Sequence, residues 1–227
     1  IFKITPSGVV SKLAGSGVQG FANGTGAAAS FYAIDGIAAD NAGNVYVLDQ
    51  YVNKGEPVLS LLIPQGKVAI RKISPSGVVV TLGGDGVQGL IDGRSNARDF
   101  GVIAGFAADS TGTVYFSDNL SHAILKVSPA GAVTTLAGSG ANGFADGPGP
   151  DARFEGGFFA GIAVDNARNV YVVDAGNQAI RKISPSGMVT TVTDYGSPGV
   201  TSSTADLVRF TGTDVRPIVV DSAGALF

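Results

Sequence analysis

The sequence has no cysteine, no tryptophan and a single histidine, His122. Without cysteine there is no disulfide, no thiolate metal site and no sulfur nucleophile. Charged residues make up 15% of the chain, against about 25% in ordinary soluble domains. The 15 Lys and Arg are outnumbered by 18 Asp and Glu, so the basic stripe of a nucleic-acid reader is missing and no nucleic-acid partner is expected. Aromatics are 8% and are not interleaved with Lys or Arg, which points the same way. The lack of tryptophan makes a glycan the weaker of the conceivable partners. The longest apolar runs, "VLSLLIP" at 58–64 and "FFAGIAV" at 158–164, fall far short of the ~20 residues a membrane-spanning helix needs, so no membrane span is expected. The chain begins at Ile1 rather than Met, which leaves an upstream segment open.

What the sequence has in excess is glycine, 34 of 227 residues, about twice the usual ~7%, and it has repetition. "AIRKISPSG" stands at 69–77 and, letter for letter, at 179–187. Relatives are "AILKVSPAG" at 123–131 and "IFKITPSG" at 1–8. "GIAADNAGNVYVLD" (36–49) matches "GFAADSTGTVYFSD" (105–118), "GIAVDNARNVYVVD" (161–174) and a broken copy, "PIVVDSAGALF" (217–227). The two Asp marks in each full copy, 40 and 49, 109 and 118, 165 and 174, are always nine apart. A catalytic unit is needed once, whereas a unit written several times is architecture.

Each copy contains four runs rich in Val, Ile, Tyr and Thr, in the third copy "GIAVD", "NVYVVD", "AIRKIS" and "MVTTVT". Alternation and β-branching predict strands, and "NARN" and "PSG" between them are turn chemistry. Four short antiparallel strands per repeat predict an all-β fold, a β-propeller of four-stranded blades, with the almost wholly apolar first strand innermost. Naming the strands a to d, the chain reads as c–d (1–14), then blades at 36–83, 105–137 and 161–193, then a–b (217–227). Four repeat equivalents span 1–227. Ending in mid-strand and beginning without Met favour a segment of a longer, six-bladed propeller over a closed four-bladed ring.

The pattern "AGSG…GF…DG…F…GIAVD…GNVYV.D…IRKISP.G.VTTLAG" resembles the NHL-repeat β-propellers, in their long-loop bacterial form. The resemblance covers essentially the whole chain. It implies the propeller fold firmly and function weakly, because that family includes binding scaffolds, lactonase-like hydrolases and lyases on one architecture.

Alternating strand direction puts the short a–b and c–d turns on one face and the long b–c and d–a loops on the other, where function is expected. Asp49, Asp118 and Asp174 end strand b in every copy, and Asp40, Asp109, Asp165 and Asp221 precede every a–b turn. Carboxylates present in every blade are read as holding loops through backbone hydrogen bonds. Phe21, Phe31, Phe100, Phe144, Phe154 and Phe210 flank the d–a loops and are read as packing between blades. His122 occupies the place of Gln178 in the next copy, a possible base or ligand with no second histidine to join it.

What differs between copies is more telling. The residue leading into strand a is Asp35, Ala104, Ala160 and Arg216 in turn, so Asp35, Arg216 and His122 are candidates for the channel mouth. From Asp49 to Ile70 is 21 residues, while Asp118 to Ile124 and Asp174 to Ile180 are six each. The extra 15 residues bring Val58, Leu59, Leu61, Leu62 and Ile63, with Lys54, Glu56 and Lys67 around them. An apolar run in a loop must be covered, by its own blade or by another chain, and this one is assigned to partner binding.

The resulting expectation is a non-catalytic scaffold, extracellular, on the cell surface or periplasmic, that binds a protein partner or associates with itself on the loop face. No cofactor is expected and no catalytic residue is assigned. The alternative is a lactonase- or lyase-like propeller enzyme with a channel metal, the family using Glu, Asn and Asp for that purpose. Of those types only Asp35 stands at the mouth.

Overall fold

In a computed structural model, residues 1–50, 68–84, 103–119, 121–155, 159–194 and 218–227 are described. They form fifteen strands and one 3-10 turn, Gly26–Ala28. The strands are β1 (Phe2–Ile4), β2 (Val10–Lys12), β3 (Gly24–Thr25), β4 (Ile34–Ala39), β5 (Val45–Gln50), β6 (Val68–Ile73), β7 (Val78–Gly84), β8 (Ile103–Ala108), β9 (Val114–Asp118), β10 (Ala123–Val127), β11 (Val133–Ala137), β12 (Phe159–Val164), β13 (Val170–Asp174), β14 (Ala179–Ile183) and β15 (Val189–Asp194).

Three antiparallel sheets follow chain order: β4-β5-β6-β7 with β3 added on the outer edge, β8-β9-β10-β11, and β12-β13-β14-β15. β1 and β2 form a separate two-stranded sheet, and Val220 bridges Leu226 in the closing segment. Among the described residues these two end units are not paired with each other.

The cores lie between sheets, and period-two alternation decides which core each residue enters. Tyr46 and Leu48 of β5 point into a cluster with Val114, Phe116, Leu125 and Val127 of the next sheet, while Val45 and Val47 point the other way, onto Leu13, Ala14 and Ala29. β9 repeats the division, with Phe116 in the first cluster and Tyr115 in the second, beside Phe154, Ile162 and Val172. β13 does so again: Val170 and Val172 face back, Tyr171 and Val173 face Ile218. Middle strands are therefore buried on both faces, as the unbroken buried pattern of β9 and β13 records.

Strand a of each sheet sits at the inner edge, with β8 against β4 on one side and β12 on the other. Glycine makes that approach possible. A Cβ on Gly105 would stand 2.7 Å from Ile162 Cγ1 and 3.0 Å from its backbone nitrogen. The aspartates before the a–b turns hold those turns. Asp40 accepts the backbone N–H of Ala42 and Asn44, the Asn44 amide and the Tyr46 hydroxyl, all at 2.8–2.9 Å. Asp109 takes the same place for Thr111, Thr113 and Tyr115.

Candidate functional site

The inner strands converge on one cavity of about 530 Å³. Its walls come from residues 35–39 of the first sheet, 104–108 of the second, 161–164 of the third and 218–220 of the closing segment. Almost every lining residue is Gly, Ala, Val, Ile or Phe, and Asp35 is the one charged side chain among them. Because strand a is an edge strand in each sheet, its unpaired backbone edge faces this space.

Asp35 is placed there by a β-bulge. Ile34 pairs with Asp49 and Gly36 with Leu48, so Asp35 has no opposite residue on β5. The same register shift falls between Ile103 and Phe106 in β8 and between Phe159 and Ile162 in β12. A bulge at the same point in β4, β8 and β12 swings one residue out of the ladder. In β4 that residue is a carboxylate that stays open to solvent, and its partial desolvation pushes its pKa above the ordinary value.

The other candidates fall differently. His122 lies in the turn between β9 and β10 with φ of +49°, as Gln178 does between β13 and β14 with φ of +52°. This left-handed position is a property of the turn. Arg216, Lys54, Glu56, Val58, Leu59, Leu61, Leu62 and Ile63 lie outside the described residues. The insertion does leave and re-enter on one rung, since Gln50 pairs with Val68.

Sequence reading missed two buried arginines. Arg71 of β6 and Arg181 of β14 are both fully buried. Arg181 Nη1 donates to Asp174 Oδ2 at 3.0 Å and to the Arg153 carbonyl at 3.1 Å, and its Nη2 donates to Asp146 Oδ1 at 2.6 Å and the Ala145 carbonyl at 2.8 Å. Phe144 and Phe154 lie against the guanidinium, ring centres 4.7 and 5.1 Å away. Arg71 repeats the arrangement on Asp49 (3.0 Å), the Ala22 carbonyl (3.0 Å), Asn23 (2.9 Å) and the Phe31 ring (5.4 Å). Of the six phenylalanines expected to pack between blades, Phe31, Phe144 and Phe154 lie against these cations, Phe21 stacks on Tyr32, and Phe100 and Phe210 lie outside the described residues. The free oxygens of the same aspartates hold the d–a loops: Asp49 Oδ1 accepts the N–H of Tyr32 at 2.7 Å and of Ala33 at 3.2 Å, and Asp174 Oδ1 accepts that of Glu155 at 3.2 Å. Burial drives Asp49 and Asp174 above the ordinary carboxyl value, against the pull of these donors and of the arginines. The signal in the sequence was "IRKI" facing "VYVxD": with adjacent Arg and Lys on one strand, one must point inward.

No family model and no curated protein matches the chain. Solved structures do. A protein of unknown function from Bacteroides thetaiotaomicron is 20% identical, with a TM-score of 0.52 over 85% of this chain and 43% of that one. An auxiliary nutrient binding protein from the same organism is 18% identical, with a TM-score of 0.55 over 98% and 48%. The fold is a β-propeller. Identity at this level shows the fold alone, and the chain spans about half the length of these two structures. The sheets are thus propeller blades, and the cavity between their inner strands is the part of the axial channel that this chain lines. A virginiamycin B lyase from Staphylococcus aureus is more distant, at 14% identity and a TM-score of 0.43 over 85% and 61%.

Proposed function

We propose that the chain is a non-catalytic, NHL-type propeller scaffold that presents its b–c and d–a loop face to a protein partner or a second copy, outside the cell, on its surface or in the periplasm. The observation that carries this reading is the employment of the repeated carboxylates. Asp49 and Asp174 hold a buried arginine and a loop backbone, and Asp40, Asp109, Asp165 and Asp221 hold turns. Groups engaged in this way organise a frame and are poorly placed to transfer protons. One solved structure with this fold is named a binding protein, which accords with the reading.

The partner-contacting element in this proposal is the insertion, with Val58, Leu59, Leu61, Leu62 and Ile63 as its apolar anchor and Lys54, Glu56 and Lys67 as a polar rim. Deleting 54–68 restores the short spacing of the other blades and tests it. The expected result is a protein that folds with unchanged stability and loses self-association or partner binding. A fall in stability with association intact would make the insertion a cover for its own blade. Stoichiometric divalent-metal binding that disappears in Asp35→Ala would instead favour a lactonase- or lyase-like enzyme.

A further inference from the structure

We infer that the axial channel is a binding site for a small organic cation, an ammonium group on an apolar body, and that Asp35, the bulge residue of β4, sets its selectivity.

Three observations meet at one place. The channel, at about 530 Å³, falls in the range of roughly 300–1,000 Å³ typical of small-molecule sites. Its walls are apolar, built from Ile37, Ala38, Phe106, Ala107, Ile162 and their neighbours, with Asp35 as the single charged group among the described lining residues; Arg216, its counterpart in the closing segment, lies outside the described residues. The bulge that presents Asp35 recurs in β8 and β12, so the backbone device belongs to the repeat while the carboxylate belongs to one copy. Ala104 fills the equivalent place on the neighbouring wall. Among the described residues no hydrogen bond or ion pair ties Asp35 to the frame, in contrast to Asp40, Asp49 and Asp174. A carboxylate at the rim of an open apolar cleft attracts a positive charge and repels an acid. Unpaired backbone carbonyls along the inner edges supply further acceptors for an ammonium head, and the alkyl or aromatic part of the ligand gains from leaving water.

The test uses three probes that share one body: 2-phenylethylammonium, 2-phenylethanol and 3-phenylpropanoate. Binding is followed by chemical-shift changes of the Ala107, Ile162 and Val164 methyls, with Ala132 and Met188 as remote controls. The ammonium is expected to shift the channel methyls and to bind several-fold more tightly than the alcohol, with the carboxylate weakest. Asp35→Asn is expected to abolish the preference for the ammonium while leaving the alcohol unchanged. Asp35→Ala combined with Ala104→Asp, which moves the carboxylate to the next bulge, is expected to restore it. Equal affinities for all three probes, no shift of the channel methyls, or a preference that survives Asp35→Asn would each overturn the inference.

Discussion

Blades one and three are built around a buried arginine, and blade two is built around a leucine. Arg71 and Arg181 follow the Ile of "AIRKIS" in strand c, and Leu125 takes that place in the "AILKVS" of β10, 2% exposed within the apolar cluster. The three strands pair alike with their neighbours, so one backbone accepts either solution. The arginine links strand b to the d–a loop through directional bonds, while the leucine contributes area removed from water. The difference teaches that the frame is set by strand pairing and turns, and that this position is a choice between two ways of filling the same space.

The largest effect is expected from making blade three resemble blade two. Arg181→Leu leaves Asp174 buried without its cation, and removal of one partner from a buried pair costs about 3–5 kcal/mol. Arg71→Leu should cost slightly less, because the third partner in blade one is the neutral Asn23 and in blade three the acidic Asp146. Denaturant unfolding of both variants checks the order, and equal losses or losses below about 1 kcal/mol would refute the comparison.

A smaller effect is expected when the charge is removed together with its partner. Arg181→Leu with Asp174→Asn should recover at least half of the single-variant loss, since replacing a whole buried pair is often close to neutral. The coupling measured in the double-mutant cycle should be about 1–3 kcal/mol. Additive losses would mean that the arginine acts mainly through the two loop carbonyls and the phenylalanine rings.

The smallest effect is a difference in acid sensitivity. Asp146 is partly buried, which raises its pKa, but the Thr191 N–H, the Arg181 guanidinium and the Thr191 hydroxyl outweigh this and hold it below the ordinary 3.8. A carboxyl depressed in the folded state contributes stability that is present above the unfolded value and is lost as pH falls through the folded one. Asn23 cannot titrate, so blade one lacks this contribution. Thermal midpoints of the parent and Asp146→Asn should therefore differ near neutrality and converge below about pH 3.8. Because Asp174 is common to both proteins, its own titration cancels to first order. A gap independent of pH would contradict the assignment.

Much of the frame was legible in the sequence. The nine-residue spacing between paired aspartates, the alternating Val, Ile and Tyr runs and the Pro-Ser-Gly turns determine strands, their order and the innermost place of strand a, because strand pattern and turn geometry are local chemistry. The candidate site was legible only as a position: Asp35 stood out for differing from Ala104 and Ala160, but nothing in the letters shows a bulge, which exists only once Ile34 and Gly36 have taken partners two residues apart on one strand and one apart on the other. The arginines were invisible for a similar reason. Arg181 and Asp146 are 35 residues apart and Arg71 and Asn23 are 48, and a charged residue in a strand reads as surface until a loop from beyond the sheet folds over it. Local pattern, then, is what the sequence by itself determined. Tertiary structure alone decided which polar groups are buried and which one faces the channel, because burial and pairing depend on segments brought together from far along the chain.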